Sequence, residues 1–429
     1  MIQKGKPLYY GWWIAAAAAI GTGLGGPPIL VFCFPVFLKA LTHEFHASRS
    51  AISLAFTLHN VASALAAPFV GRLLDRIGVR KFIVGGTLLL ALLLIGNSFI
   101  TVSVAGIYAF NILGGIFGQG SGPIPYSKAV SNWFDRYRGT ALALMMVGLG
   151  SSAMVMPSIV QRIISMMSWR AAYALYGGAI FLIALPVLAA AMKDTPAELG
   201  LFPDGSAVPP SVNVEGPEGL TLQEARRSGT FWLLIAAVVL LSSSVHACVM
   251  HLAAMLTDEG MSAQTAALAS SMAGLGLLGG RVITGFLLDR YFGARVAMCF
   301  SASAVLGAVL LLITRSGSIP FLAAFCIGLG MGAEGDLIAY LTSRYFGLRS
   351  FGEIYGFIFG SFVLAGASGA FLMGFGFDRT GSYTAPLIGF VVAIFAAIVL
   401  FSRLGPYRYV VVTPFAEIES LQRGATAGA

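Results

Sequence analysis

The chain has 429 residues, of which 57% are hydrophobic and only 10% charged, against roughly 45–50% and 25% in soluble globular domains. That composition excludes a water-soluble fold. A formal charge of +8 would suggest nucleic acid in a soluble protein, but in a membrane chain the placement of Lys and Arg reports topology.

A bilayer crossing takes about 20 mainly apolar residues, because the backbone must satisfy its own hydrogen bonds inside a helix. In chain order, helices are expected at 9–38, 49–71, 82–102, 106–132, 139–165 and 169–192, then at 231–257, 262–288, 295–314, 319–344, 350–376 and 383–404. The first run passes from Trp12 through Ile20 into Leu30 without a small-residue cleavage site, so it reads as a retained helix. Between the sixth and seventh helices, residues 193–229 hold Pro196, Pro203, Pro209, Pro210 and Pro217 with acidic residues and few apolar ones, the composition of a linker. Its end carries Thr221 with Glu224 three residues later, a capping-box pattern that predicts a short helix leading into the seventh span. The expected domains are therefore a six-helix bundle over 1–192, a linker over 193–229, a second six-helix bundle over 230–405 and a tail over 406–429.

Lys4, Lys6, Arg72, Arg76, Arg80, Lys81, Arg136, Arg138, Lys193, Arg226, Arg227, Arg290, Arg295, Arg344, Arg349, Arg403, Arg408 and Arg423 fall at one set of helix ends. Only Lys39, Arg49, Arg162, Arg170, Arg315 and Arg379 fall at the other. By the positive-inside rule both termini are expected in the cytoplasm, with the chain a multi-pass protein of the cell (inner) membrane. Cys33, Cys248, Cys299 and Cys326 lie in apolar runs with no CxxC spacing or nearby His, so packing is their expected role. No metal site and no cofactor is implied.

The chain is also duplicated. Gly71-Arg72-Leu73-Leu74-Asp75-Arg76 returns as Gly285-Phe286-Leu287-Leu288-Asp289-Arg290, 214 residues later and half of the chain away. Trp133-Phe134-Asp135-Arg136-Tyr137-Arg138-Gly139 likewise corresponds to Tyr345-Phe346-Gly347-Leu348-Arg349-Ser350-Phe351. The halves are collinear copies, a parallel-repeat arrangement. The stretch Gly71 to Lys81 resembles the loop motif of the major facilitator superfamily between the second and third helices. Tyr10-Gly11-Trp12-Trp13, and Trp133-Phe134 through Arg138-Gly139-Thr140-Ala141, resemble the monocarboxylate and oxalate/formate transporters within it. The resemblance implies an all-α membrane protein of 12 transmembrane helices, arranged as two pseudo-symmetric six-helix bundles in the major facilitator fold.

Arg281 follows Gly279-Gly280 about two turns before the end of the eighth helix. A charge at that depth costs several kcal/mol unless it meets a partner or a cavity, and a guanidinium matches a carboxylate bidentately. The resemblance implies that this arginine, with Gly285 four residues on, binds the substrate carboxylate; the alternative is a permanent ion pair. Glu334 and Asp336 lie among glycines in the tenth helix. Two carboxylates so close in an apolar segment are not expected both to be ionised, so either is a proton-coupling candidate. Being two residues apart they point about 200° from each other, so one at most faces the centre. His251 is a candidate both for substrate and for proton, ahead of His246 and His59. In the fourth helix Gln119 and Tyr126, seven apart and so on one face, are candidate substrate contacts, whereas Lys128 is expected to snorkel to the surface. Gly21 to Pro28 and Gly118 to Pro123 are small-residue runs that permit close helix approach or unwinding. Asp75, Arg76, Arg80, Asp289 and Arg290 at the repeated loops are candidates for conformational gating through charge pairs.

Two departures from the resembled families matter. Animal proton-coupled monocarboxylate carriers place an aspartate one turn before the arginine, where this chain has Leu277. The oxalate exchanger pattern has a lysine after Tyr-Gly-Phe; here Tyr355-Gly356-Phe357 leads to Gly360-Ser361-Phe362 without one. One buried cation suits one carboxylate. The expected function is thus secondary active transport of an organic monocarboxylate by alternating access, with proton symport, and the expected partners are that carboxylate, a proton and membrane lipids, with no nucleic acid. An organic-anion exchanger, a drug efflux carrier and a non-transporting membrane sensor are the alternatives. An enzyme is not expected, because no nucleophile–base or metal constellation is present in the sequence.

Overall fold

Because hydrocarbon offers no partner to a free amide, a chain this apolar has to close its backbone hydrogen bonds within helices. The computed structural model describes residues 8–206 and 219–409 and is helical over most of that length. Lys4, Lys6, Pro209, Pro210, Pro217, Arg423 and the tail beyond Tyr409 lie outside the described residues. Among the described residues, eleven helices are long and apolar enough to cross a membrane. The remaining crossing is the fourth, where Val104–Phe117 and Pro123–Trp133 are separated by a 3-10 turn at Gly118–Ser121, so neither piece spans alone.

The other crossings follow the sequence closely. The second is Arg49–Ile77, the third Val79–Ile100 and the fifth Arg138–Met166. In the second half they are Gly229–Asp258, Ala263–Leu288, Gly293–Ile313, Ile319–Phe346, Phe351–Thr380 and Thr384–Ser402. Two further crossings expected as single helices are interrupted. The first runs as Gly11–Gly23, a π-helical turn at Pro28–Phe32 and Phe34–Glu44; the sixth carries a π-helical turn at Ile180–Ala184 between Trp169–Ala179 and Leu185–Ala191. Serines open several spans by accepting a backbone N–H three residues on, as Ser48, Ser103, Ser168, Ser228 and Ser262 do. The outer surface is apolar, with Phe99 78% and Leu182 73% exposed, as a lipid-facing surface requires. Cys33, Cys248 and Cys326 are buried, but Cys299 is exposed, which corrects its assignment to packing.

The interruptions of the first and fourth crossings face each other. Gly26 N donates to Ser121 Oγ at 3.0 Å, and a Cβ on Gly25 would stand 2.3 Å from the Ser121 carbonyl oxygen. Gly86 of the third span presses on Gly120 so closely that a Cβ on either would lie 2.5 Å from the other's Cα. The small-residue runs thus act as both unwinding points and contact points. The two aromatic motifs also meet: Tyr10 packs on Trp133 at 5.4 Å and Trp12 on Phe134 at 4.8 Å, while the Tyr9 hydroxyl donates to the Trp133 carbonyl at 2.9 Å.

The linker is tied to the second half, with Leu220 N donating to the Phe346 carbonyl at 2.8 Å. The expected capping box forms at Thr221 and Glu224 and starts the short helix Leu222–Arg226. Hydrogen bonds from the Thr221 backbone and hydroxyl hold the Glu224 carboxyl below its usual range.

Candidate functional site

The eighth and tenth spans run side by side and touch through glycines in a fixed register. A Cβ on Gly328 would lie 2.1 Å from the Ala273 carbonyl oxygen, and one on Gly332 would lie 2.2 Å from that of Leu277. One further step of four residues sets Asp336 beside Arg281. The guanidinium is in electrostatic reach of Asp336 first, then of Tyr355 in the eleventh span and Glu334. On the far side of Arg281 is the first half of the chain: Gly150 of the fifth span faces its Cδ and Nε, each 3.9 Å from where a Cβ would stand. Tyr355 is fully buried beside Ser127 of the fourth span. Arg281 is therefore central, between the bundles.

Its nitrogens are not used up by the protein. Nε and Nη1 are buried without a hydrogen-bond partner among the described residues, and so are both oxygens of Asp336, both of Glu334 and the Tyr355 hydroxyl. Unsatisfied buried polar groups are costly and concentrate where a ligand or proton is handled.

The two acids separate as their spacing requires. Asp336 turns to the eighth span, whereas Glu334 turns to the seventh and twelfth, among Val238, Leu241 and Phe401. There His246 Nδ1 stands 3.7 Å from Glu334 Oε2, with the histidine side chain 24% exposed and the glutamate 3%. His246 is held in place by Ser242, whose carbonyl is 3.0 Å from Nδ1. Sequence ranking placed His246 below His251, yet only His246 meets an acid among the described residues. The ring of His251 is 3.0 Å from the Ala370 carbonyl through Nε2, joining the seventh and eleventh spans. His59 similarly sits 3.2 Å from the Asn111 carbonyl.

Gln119 and Tyr126 do not share a face, because the 3-10 turn and the extended Gly122 between them break the helical phase. The Gln119 amide donates to Ser63 of the second span. Tyr126 is fully buried against Gly21 of the first. Lys128 does not snorkel: it is 8% exposed and donates to Asp75 at 2.5 Å.

The repeated loops form the contact between the halves. Asp75 accepts backbone N–H groups from Gly352 and Glu353, both at 2.9 Å, at the start of the eleventh span. Asp289 mirrors it at the start of the fifth span, accepting from Gly139 N at 2.6 Å, Thr140 N at 2.9 Å and the Thr140 hydroxyl at 2.5 Å. Each carboxylate, fixed at the end of one bundle's helix, caps a helix N-terminus in the other, where the macrodipole favours negative charge. The backbones touch there too: a Cβ on Gly71 would stand 1.8 Å from the Gly352 carbonyl oxygen. The arginines expected to pair with these acids do otherwise. Arg80 Nη2 donates to Ala189 O at 3.0 Å, and Arg290 lies over its own Phe286 ring at 3.4 Å. Arg76 lines an open cavity. Three further residues at the contact between the halves, Asp135, Arg138 and Arg344, were not singled out from the sequence. Arg344 of the second half donates to Asp135 of the first at 2.6 Å, and Arg138 donates to Ser343 at 3.0 Å. Asp135 and Arg138 lie within the second repeated motif and Arg344 directly precedes its second copy, which was the available signal.

The profile of the Major Facilitator Superfamily matches residues 12–370. Monocarboxylate transporter 11 of Homo sapiens is 27% identical over 402 residues, covering 90% of this chain and 81% of that protein. The uncharacterized MFS-type transporter YhjX of Escherichia coli (strain K12) is 23% identical over 338 residues, covering 77% and 80%. A crystal structure of the E. coli fucose:proton symporter FucP superposes with a TM-score of 0.69 over 93% of this chain and 100% of that one, at 15% identity. That last likeness concerns the fold.

Proposed function

Because the chain belongs to the major facilitator superfamily, we propose that this transporter carries an organic monocarboxylate, captured by Arg281, together with a proton. The observation that carries the proposal is the register of the eighth and tenth spans. It sets an arginine with unpartnered buried nitrogens beside an unpartnered aspartate, at the contact between the bundles. A carboxylate entering there meets the guanidinium fork. Human monocarboxylate transporter 11 bears the name of the same substrate class.

Charge balance favours symport. The site holds one guanidinium and two carboxyl groups within its reach, and a third carboxylate in a poorly solvated site is disfavoured unless a proton accompanies it. Glu334 with His246 is the pair we assign to that proton, since the ring is partly exposed and stands 3.7 Å from the buried acid; Asp336 is the acid that exchanges Arg281 with the substrate. Of the other candidates, Tyr126 and Gln119 shape the first-half wall, and His251 is kept as a contact of the outer half. The basic face is assigned to the cytoplasm of the cell membrane by the positive-inside rule, so the Asp75 and Asp289 caps close the cytoplasmic side and rocking of the bundles opens it.

The test is uptake of a panel of radiolabelled monocarboxylates into proteoliposomes, with and without an inward proton gradient, for the parent and Arg281→Ala. Uptake by the parent that follows the gradient and is lost in the variant is expected. Undiminished uptake by Arg281→Ala rejects the site. Uptake indifferent to the gradient but stimulated by internal substrate identifies an exchanger.

A further inference from the structure

On the basic face, away from Arg281, a second concave site is built from three separate parts of the chain. A cavity of about 840 Å³ is lined by five arginines: Arg72 and Arg76 from the end of the second span, Arg226 and Arg227 from the linker, and Arg349 from the loop before the eleventh. Against them stand two carboxylates. Asp75 is already committed to Lys128 and to two backbone amides, and Glu353 is 3.7 Å from Arg72. The nearby Glu224 is spent on its capping box, accepting from Thr221 N at 2.7 Å and from the Thr221 hydroxyl at 2.9 Å. The wall is thus strongly cationic, and like charges gathered around a concavity raise the local concentration of anions.

The cavity walls are not loose. The linker strand is pinned to Phe346, and the Trp232 indole donates to the Arg226 carbonyl at 2.9 Å, which fixes the end of the linker helix over the opening. Thr221, Gln223 and Ser350 add neutral hydrogen-bonding side chains among the arginines. The volume exceeds what one small inorganic ion needs, and guanidinium forks are matched to phosphate oxygens. Both halves of the chain contribute arginines, so the cavity has this shape only while the Asp75 cap holds the halves together.

We propose that this cavity is a regulatory site for a phosphate-bearing polyanion, whose binding favours the conformation in which the basic face is closed. An anion bridging Arg72 and Arg76 to Arg349 binds the closed form better than the open one, and the conformational equilibrium shifts by that difference in affinity. The phosphate source is either a soluble polyphosphate or an anionic lipid headgroup, and the two are separable.

The experiment uses the full chain in phosphatidylcholine liposomes without transport substrate. One arm adds sodium tripolyphosphate; the other replaces a fraction of the lipid with phosphatidylglycerol and adds no soluble phosphate. Trp232 is 48% exposed at the cavity wall, so its emission, isolated by comparison with Trp232→Phe, reports occupancy. Spin-label distances between Lys81 and Arg295 positions, each exposed at the basic end of its span, report closure. A saturable response with an increased closed fraction is expected in one arm, which identifies the source. It should weaken by about tenfold or more in Arg226→Gln/Arg227→Gln and in Arg349→Gln, since charge-assisted hydrogen bonds are lost. Two variants from different segments, each checked by its melting temperature, guard against misfolding. The proposal is overturned by silence in both arms, by an equal response to sulfate at matched ionic strength, or by an undiminished response in well-folded variants. None of these readings depends on which carboxylate is transported.

Discussion

Neutralising Asp75 tests the gate most directly. In Asp75→Asn the side chain keeps its shape and one carbonyl acceptor, but the other oxygen becomes a donor facing the donors at Gly352 and Glu353. One charge-assisted hydrogen bond contributes about 1.5–3 kcal/mol, and a negative charge at a helix N-terminus about 0.3–1 kcal/mol more. Lys128 belongs to the same bundle as Asp75 and loses its partner in both conformations, so that loss largely cancels. About 3 kcal/mol disappears from the closed arrangement, which is roughly a hundredfold in the closed-to-open ratio. A population held about 99:1 closed would fall to about even. Spin labels at the Lys81 and Arg295 positions, in a Cys299→Ser background because that thiol is exposed, should acquire a second, longer distance on the basic face. Transport should slow while substrate affinity changes little, because Arg281 is untouched. An unchanged distance distribution, or a large loss of affinity with intact turnover, refutes the capping argument.

The site and the packing yield further expectations. Arg281→Lys keeps the charge but not the fork, so apparent carboxylate affinity should fall by about tenfold to a hundredfold, with dependence on the proton gradient retained in uptake kinetics. Glu334→Gln should abolish stimulation by the proton gradient while substrate counterflow persists; stimulation surviving in this variant assigns the proton elsewhere. Gly120→Ala and Gly335→Ala should differ sharply in melting temperature. A Cβ on Gly120 meets the Gly86 backbone at 2.5 Å, an overpacking cost of about 1–3 kcal/mol. One on Gly335 meets only the flexible end of Met146 at 3.1 Å and removes about 0.4–1 kcal/mol of unfolded-chain entropy. Equal melting temperatures would mean that the Gly86 contact is not tight in solution.

What could be read from the sequence was whatever repeats at fixed spacing or carries a large solvation cost. The crossings were legible because a run of apolar residues long enough to span hydrocarbon is rarely stable in any solvent but lipid. Arg281 was legible because a charge two turns inside such a run demands a reason. The interruption in the fourth crossing was visible as a glycine run, but its consequence was not: Gln119 and Tyr126 were placed on one face by a helical phase that the 3-10 turn destroys. Lys128 lay close enough to a helix end to snorkel, and only the folded chain brings Asp75, 53 residues away in sequence, to 2.5 Å from it. His246 and His251 looked alike, being five residues apart on one helix. Packing separated them, turning one to Glu334 and the other to a backbone carbonyl.

The duplicated halves keep the contact between them and diverge at the centre, and the divergence has a physical form. At the offset of 214 residues, Gly120 and Gly122 of the fourth span correspond to Glu334 and Asp336 of the tenth. In the first half Gly120 is consumed by backbone contact, pressing on Gly86, and the break at Gly118–Ser121 meets the break in the first span at Gly25 and Gly26. That position carries no charge, and the contact leaves no room for a Cβ. In the second half the glycine contacts fall before the acids, at Gly328 and Gly332, and draw the eighth and tenth spans close enough to set Asp336 beside Arg281. The same device, a helix thinned by glycine, therefore serves opposite ends. It breaks the helix where the first half needs a close three-way contact, and in the second half it brings an intact helix near enough for opposite charges to face each other.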